Sequence, residues 1–174
     1  LASIQRRLDH LSINEFADCS SRNSPEMLFD MMGFGKQPEP DSKGQTEHME
    51  MSFGPSMQLL ATALGLPIEQ FEVKGAVGLA RDDVHIAAGI VPAGTVAATR
   101  TTLTGMHNGK PLMSFTTWFV STHVDTIDGE VWKFITPSGW HVVLEGDCPL
   151  DVAITFPIAP EKYADMTPGL TAHR

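Results

Sequence analysis

Cysteine is scarce in this chain: Cys19 and Cys148 are the only two. They make no CxxC pair and no disulfide framework, so a reducing, cytoplasmic setting is the simplest account. Positive charge is scarce too. Twelve Lys and Arg face 21 Asp and Glu, for a net charge of −9. The one basic pair, Arg6-Arg7, is too small a patch to grip a phosphate backbone. Nucleic acid and anionic membrane surfaces are therefore not expected partners. Long apolar runs are missing: stretches such as Ile86 to Val91 fall far short of a bilayer span. The first residues also lack the charged-then-apolar order of a signal peptide.

Several catalytic signatures are absent as well. No glycine-rich phosphate loop follows a strand; Gly33-Phe34-Gly35 lacks a third glycine and comes after a helical pattern, not before one. There is no GxSxG and no HExxH. The seven histidines (His10, His48, His85, His107, His123, His141 and His173) are scattered, and none pairs at ligand spacing, so no metal is expected. No repeat at solenoid spacing is present.

What remains is ordinary globular composition, 42% hydrophobic and 19% charged over 174 residues, enough for one domain with a real core. Alternation predicts a strand over residues 10–18. A polar loop, Cys19 to Pro25, leads to a helix start with Ser24 at the cap and Pro25 at the first helical position. Met27, Leu28, Met31 and Met32 would share a face of that helix, and Gly33 to Gly35 would end it. Residues 36–48 read as a surface loop. Ser52 to Gly65 reads as a helix with Phe53, Met57, Leu60, Ala61 and Leu64 on one face.

From Phe71 onward the chain takes β character. Asn108-Gly109 supplies the positive φ angles of a type I′ hairpin. Centring the turn there pairs Arg100 with Thr117, Thr102 with Phe115, and Thr99 with Trp118. A second hairpin runs from Gly139 to Phe156 around Gly146-Asp147-Cys148-Pro149. Trp140, Val142 and Leu144 would share a face, as would Leu150, Val152, Ile154 and Phe156 on the return strand. The fold class expected is α+β: a predominantly antiparallel, mixed β-sheet with helices packed on one face. The open edges of such a sheet favour subunit pairing. Thr171-Ala-His-Arg174 reads as the first turn of a helix, and both ends read as cut from something longer.

The residues point to three places for chemistry. The loop Asp18, Ser20, Ser21, Arg22, Asn23 ends at a helix N-terminus, where backbone N–H groups favour an anion and Arg22 can hold a carboxylate. A capped surface loop gives the same sequence. Arg100 sits mid-strand among Thr and Ala, where a covered charge needs a partner or ligand. Glu145 could supply that partner. His141 and Glu145 share a strand face and could form an acid/base pair, or a solvated outer face. Trp118, Trp132 and Trp140 read as core or interface anchors.

The segment Glu15-Phe-Ala-Asp-Cys-Ser-Ser-Arg-Asn-Ser-Pro-Glu-Met-Leu-Phe-Asp-Met-Met-Gly-Phe-Gly35 resembles the strand–loop–helix opening the C-terminal domain of dihydrodipicolinate reductase-like proteins. The closer likeness is to the branch containing 2,4-diaminopentanoate dehydrogenase. Ser52 to Ser56, Ala88 to Ala98, Gly139 to Asp147 and Thr171 to Arg174 continue it, so the resemblance runs along almost the whole chain. It implies an NAD(P)H-binding Rossmann domain before Leu1 and a closing segment after Arg174. It also implies that this domain binds a small imine or amino-acid-like substrate. Assembly of a homodimer or homotetramer through the sheet is implied too. One motif departs. The family's His-His positions fall on Ala17 and Asp18, its Lys on Ser21, and its Ser-Gly-Thr clamp on Glu26, Met27 and Leu28. The lysine-pathway proton donor and clamp are thus not carried over. A non-catalytic binding or scaffold domain on the same fold is the competing reading.

Overall fold

A computed structural model of the chain describes residues 7–38, 44–121, 126–127, 130–131 and 138–155. His123, Trp132, Phe156 and the tail Thr171 to Arg174, singled out above, lie outside the described residues, as does the side chain of His48. Among the described residues the strands are β1 (Leu8–Asp18), β2 (Gln70–Leu79), β3 (Val84–Ile86), β4 (Gly89–Val91), β5 (Val96–His107), β6 (Lys110–Val120), β7 (Thr126–Ile127), β8 (Glu130–Val131), β9 (Ser138–Gly146) and β10 (Leu150–Thr155). One long helix, α1 (Gly44–Leu64), and a six-residue helical turn, Glu26–Met31, complete the elements.

Six strands form one mixed sheet in the order β10-β9-β1-β6-β5-β2. β1 and β6 run parallel; every other neighbouring pair is antiparallel. The α+β expectation is met in this mixed sheet. Side chains alternate between its faces. Leu11, Ile13, Met113, Phe115, Leu103, Trp140, Val142 and Leu144 fall on one face by register. The helix α1 covers that face with Phe53, Met57, Leu60 and Ala61. The Phe53 and Phe115 rings sit 4.9 Å apart, and Phe115 and Trp140 5.8 Å apart, within aromatic packing range. A second core gathers Phe16, Trp118, Val120 and Ala98 with Leu28, Phe34, Val84, Ile86 and Val91 at the end of the sheet where β1 and β6 finish. The two helical segments therefore serve different cores.

Four expectations need correction. First, α1 begins at Gly44 rather than Ser52, so residues 44–48 are helix and not loop. Gln45, Glu47, Met49 and Glu50 are good helix formers, and Pro55 removes only one hydrogen bond from a helix that continues past it. Leu64, in its last turn, is 42% exposed. Second, the segment after Pro25 is a short, wide turn. The Met32 amide donates to the Met27 carbonyl at 3.0 Å, five residues back. That winding swings Met31 outward, to 57% exposure, while Leu28 stays buried. Third, the Ser24 side chain makes no cap; Ser24 contributes its carbonyl, which accepts from the Leu28 amide at 3.1 Å.

The fourth correction concerns the register of the β5–β6 hairpin. The turn lies at Asn108-Gly109 as read, with φ of 49° and 71°. His107 pairs Lys110 and Met106 pairs Pro111, but an irregularity between Gly105 and Met106 shifts everything beyond by one residue. Arg100 therefore opposes Trp118, Thr102 opposes Thr116, and Thr99 opposes Phe119. A bulge puts one extra residue in a strand, which exchanges faces across the pair. The second hairpin needs no such change: β9 ends at Gly146, and Leu150, Val152 and Ile154 oppose Leu144, Val142 and Trp140.

Candidate functional site

The register of β1 sets the site. Leu11, Ile13, Glu15 and Ala17 lie on the apolar, α1-covered face, so a carboxylate stands in an otherwise apolar row. Glu15 is half-buried between Thr117 of β6 and Trp140 of β9. Burial raises its pKa above 4.5, and attraction to Arg22 opposes that rise. Next along this face come Thr101, buried, and Phe119. The Thr117 hydroxyl donates to the Thr101 carbonyl at 3.5 Å, a long bond that holds two neighbouring strands.

Arg22 reaches the same region from the loop after β1. Its guanidinium lies 5.9 Å from the Phe119 ring centre, the outer limit of cation–π attraction. One terminal nitrogen approaches the Met27 sulfur at 3.9 Å. The Arg22 Nε is buried and donates to no acceptor among the described residues. Arg22 is close enough to act on Glu15 electrostatically, yet no ion pair joins them. Two opposite charges thus face one region, and among the described residues neither closes an ion pair.

The loop is held rigidly behind them. One Asp18 carboxylate oxygen accepts from the Ser20 amide at 2.8 Å and from the Ser20 hydroxyl at 2.6 Å. Such a local turn stabilises the reversal after a strand. The Ser20 carbonyl accepts from the Ala87 amide at 2.9 Å, and the Cys19 amide donates to the Val120 carbonyl at 2.8 Å. Cys19 is fully buried, and burial pushes its thiol up to about 12. It is a packing residue, not a nucleophile. No disulfide joins Cys19 and Cys148. Asp18 and Ser20 therefore shape the loop, Ser21 and Asn23 are exposed, and Arg22 is the member that enters the site.

Arg100, His141 and Glu145 fall on the opposite face of the sheet. Arg100 lies over the Trp118 ring at 5.3 Å, and the Trp118 indole donates to Asn14 Oδ1 at 3.4 Å. The suggested His141–Glu145 pair does not form. His141 Nε2 meets Asp151 Oδ1 of the neighbouring strand at 2.7 Å. Glu145 is four residues along the strand, about 13 Å away. The residues read as one pocket thus divide between two faces. Glu15 was missed as a site residue, although alternation with Leu11, Ile13 and Ala17 marks it. No cluster of His, Cys, Asp and Glu suits a metal among the described residues. Nor does a helix of the described residues reach membrane-spanning length and apolarity.

No protein-family model matches this chain, and no curated protein matches it by sequence. A solved structure does match in fold. The amine dehydrogenase from Mycobacterium smegmatis superposes with a TM-score of 0.59 at 14% identity. The likeness covers 87% of this chain and 43% of that chain, so the chain spans less than half the length of the structure it matches. The likeness is one of fold, to part of that structure.

Proposed function

We propose that this chain is the substrate-binding domain of an NAD(P)H-dependent oxidoreductase working on a carbon–nitrogen bond. The observation that carries the reading is Glu15, a desolvated carboxyl in the apolar face of the sheet, within electrostatic reach of Arg22. A carboxyl whose pKa is raised by burial is suited to pass a proton to or from a substrate nitrogen. Phe119 and Thr117 would flank the reacting group.

The dehydrogenase neighbour and the family resemblance favour amine or imine chemistry over other proton-transfer reactions. They also favour a place beside the dihydrodipicolinate reductase and 2,4-diaminopentanoate dehydrogenase families, without the former's histidine pair. This chain's residues do not fit the nicotinamide cofactor: no glycine-rich loop between strand and helix cradles a pyrophosphate. The cofactor then belongs to a separate nucleotide-binding domain. Assembly as a homodimer or homotetramer through the sheet completes the proposal, with a cytoplasmic location in keeping with a chain of only two cysteines and no CxxC.

The test is an initial-rate assay of the complete gene product. A panel of primary amines, amino acids, imines and amino ketones would be supplied with NAD(H) or NADP(H), and absorbance of the reduced nicotinamide followed. Turnover of at least one carbon–nitrogen substrate is expected. Binding of such compounds with no turnover under either cofactor would overturn the enzyme reading and favour a binding module.

A further inference from the structure

We infer that Trp140 is a positioning residue for Glu15: its indole walls the carboxyl off from water at the open β10 edge, so that Glu15 holds its proton. This rests on the site reading above and deepens it. A single cross-strand row carries the inference. Glu15 pairs with Thr117 on one side and Trp140 on the other, and Trp140 pairs in turn with Ile154 of the edge strand. Opposed residues share a face, and neighbouring strands lie about 4.8 Å apart. The inner end of the row is dry, because Thr117 is buried. Its outer end is wet, because Ile154 is 48% exposed. Water on this face at β10 therefore meets Trp140 before it meets Glu15.

The indole is held in place. Its ring centre lies 5.8 Å from that of Phe115, which lies 4.9 Å from that of Phe53, so a run of rings leads from α1 to β9. A ring system of that size covers the gap to the next strand. Thr117 does not offset the burial, since its hydroxyl donates to the Thr101 carbonyl. Among the described residues no hydrogen bond reaches the Glu15 carboxyl. Arg22, from the loop after β1, is the charged group that acts on Glu15, and it favours the ionised form. The elements packed on this face bring Thr117 from β6, Trp140 from β9, and Phe53 and Met57 from α1, none of which titrates. Burial outweighs Arg22, and the carboxyl keeps its proton to higher pH than an exposed one.

The experiment is a pH titration by NMR of the complete gene product, isotope-labelled at its glutamate carboxyls. The Glu15 signal is the one missing from Glu15→Gln. Trp140→Thr keeps a good strand former and opens the row, while Trp140→Phe keeps a ring. Val142→Thr, opposite Ile13 on the same face, removes apolar packing without touching the row. In the wild type Glu15 should titrate above 4.5. Trp140→Thr should lower that midpoint by about one pH unit or more, Trp140→Phe by less, and Val142→Thr not at all. Circular dichroism melts would confirm the folded state, with Trp140→Leu in reserve should Trp140→Thr not fold. An unmoved midpoint in the folded variant would overturn the inference, as would an equal shift in Val142→Thr. The pH profile of kcat/KM separates this result from the site reading. If midpoint and profile move together, both stand. If the midpoint moves and the profile does not, Trp140 still walls Glu15, and the role of Glu15 in proton transfer fails.

Discussion

Glu15 is costly where it stands, and that cost has a measurable sign. Its folded-state pKa lies above 4.5, chiefly through burial. Between the unfolded and folded values the native state binds the extra proton, so stability falls as pH rises through that interval. Below 4.5 both states are protonated and the penalty vanishes. Glu15→Gln should therefore raise the melting temperature above the folded pKa by a few degrees, with the gain fading toward pH 4. Melts of both proteins across that range would check it. A gain confined to acid pH would contradict the desolvation account. The alternation that exposes Glu15 was present in the sequence. What sequence could not supply was the identity of the covered face, because α1 and the neighbouring strands decide that. Arg22 was read, together with the helix N-terminus after it, as a hold for an anion; the structure sets its guanidinium near the Phe119 ring and the Met27 sulfur.

The β5–β6 hairpin shows how far turn chemistry reaches. Asn108-Gly109 fixed the position of the turn, and both residues adopt the positive φ expected. It did not fix the register beyond Gly105, since the one-residue shift answers to packing rather than to turn residues. Gly105 sits where a Cβ would lie 2.9 Å from both Ile68 Cδ1 and Met113 Cγ. Gly105→Ala should cost about 1–3 kcal/mol through overpacking, measured by urea unfolding. No loss would mean that the core beneath the bulge has room to spare. The helix after Pro25 failed for a different reason. Its cap and proline are good start signals, yet the chain turns at Gly33 within two turns and adopts a wider winding that still buries Leu28. The second hairpin was legible because a proline-containing turn and strict alternation agreed.

The six-stranded sheet joins a parallel β1–β6 pair to antiparallel flanks, and that central pair carries the candidate site. Glu15 is on β1, Thr117 and Phe119 are on β6, and Arg22 follows β1 directly. Composition and alternation gave the α+β class; the parallel pairing is a long-range choice that no local signal records. The fold is shared with part of an amine dehydrogenase structure, and under the proposed function the buried carboxyl of Glu15 is the reason to put substrate on the α1-covered face. The opposite face, with Arg100, Trp118 and the His141–Asp151 pair, is left for other roles. The most direct test of the substrate face is the ratio of kcat/KM for wild type and Glu15→Gln in the complete gene product, on the best substrate of the amine panel. The account predicts a loss of about 100-fold or more with the fold intact. A Glu15→Gln enzyme as active as wild type would contradict it.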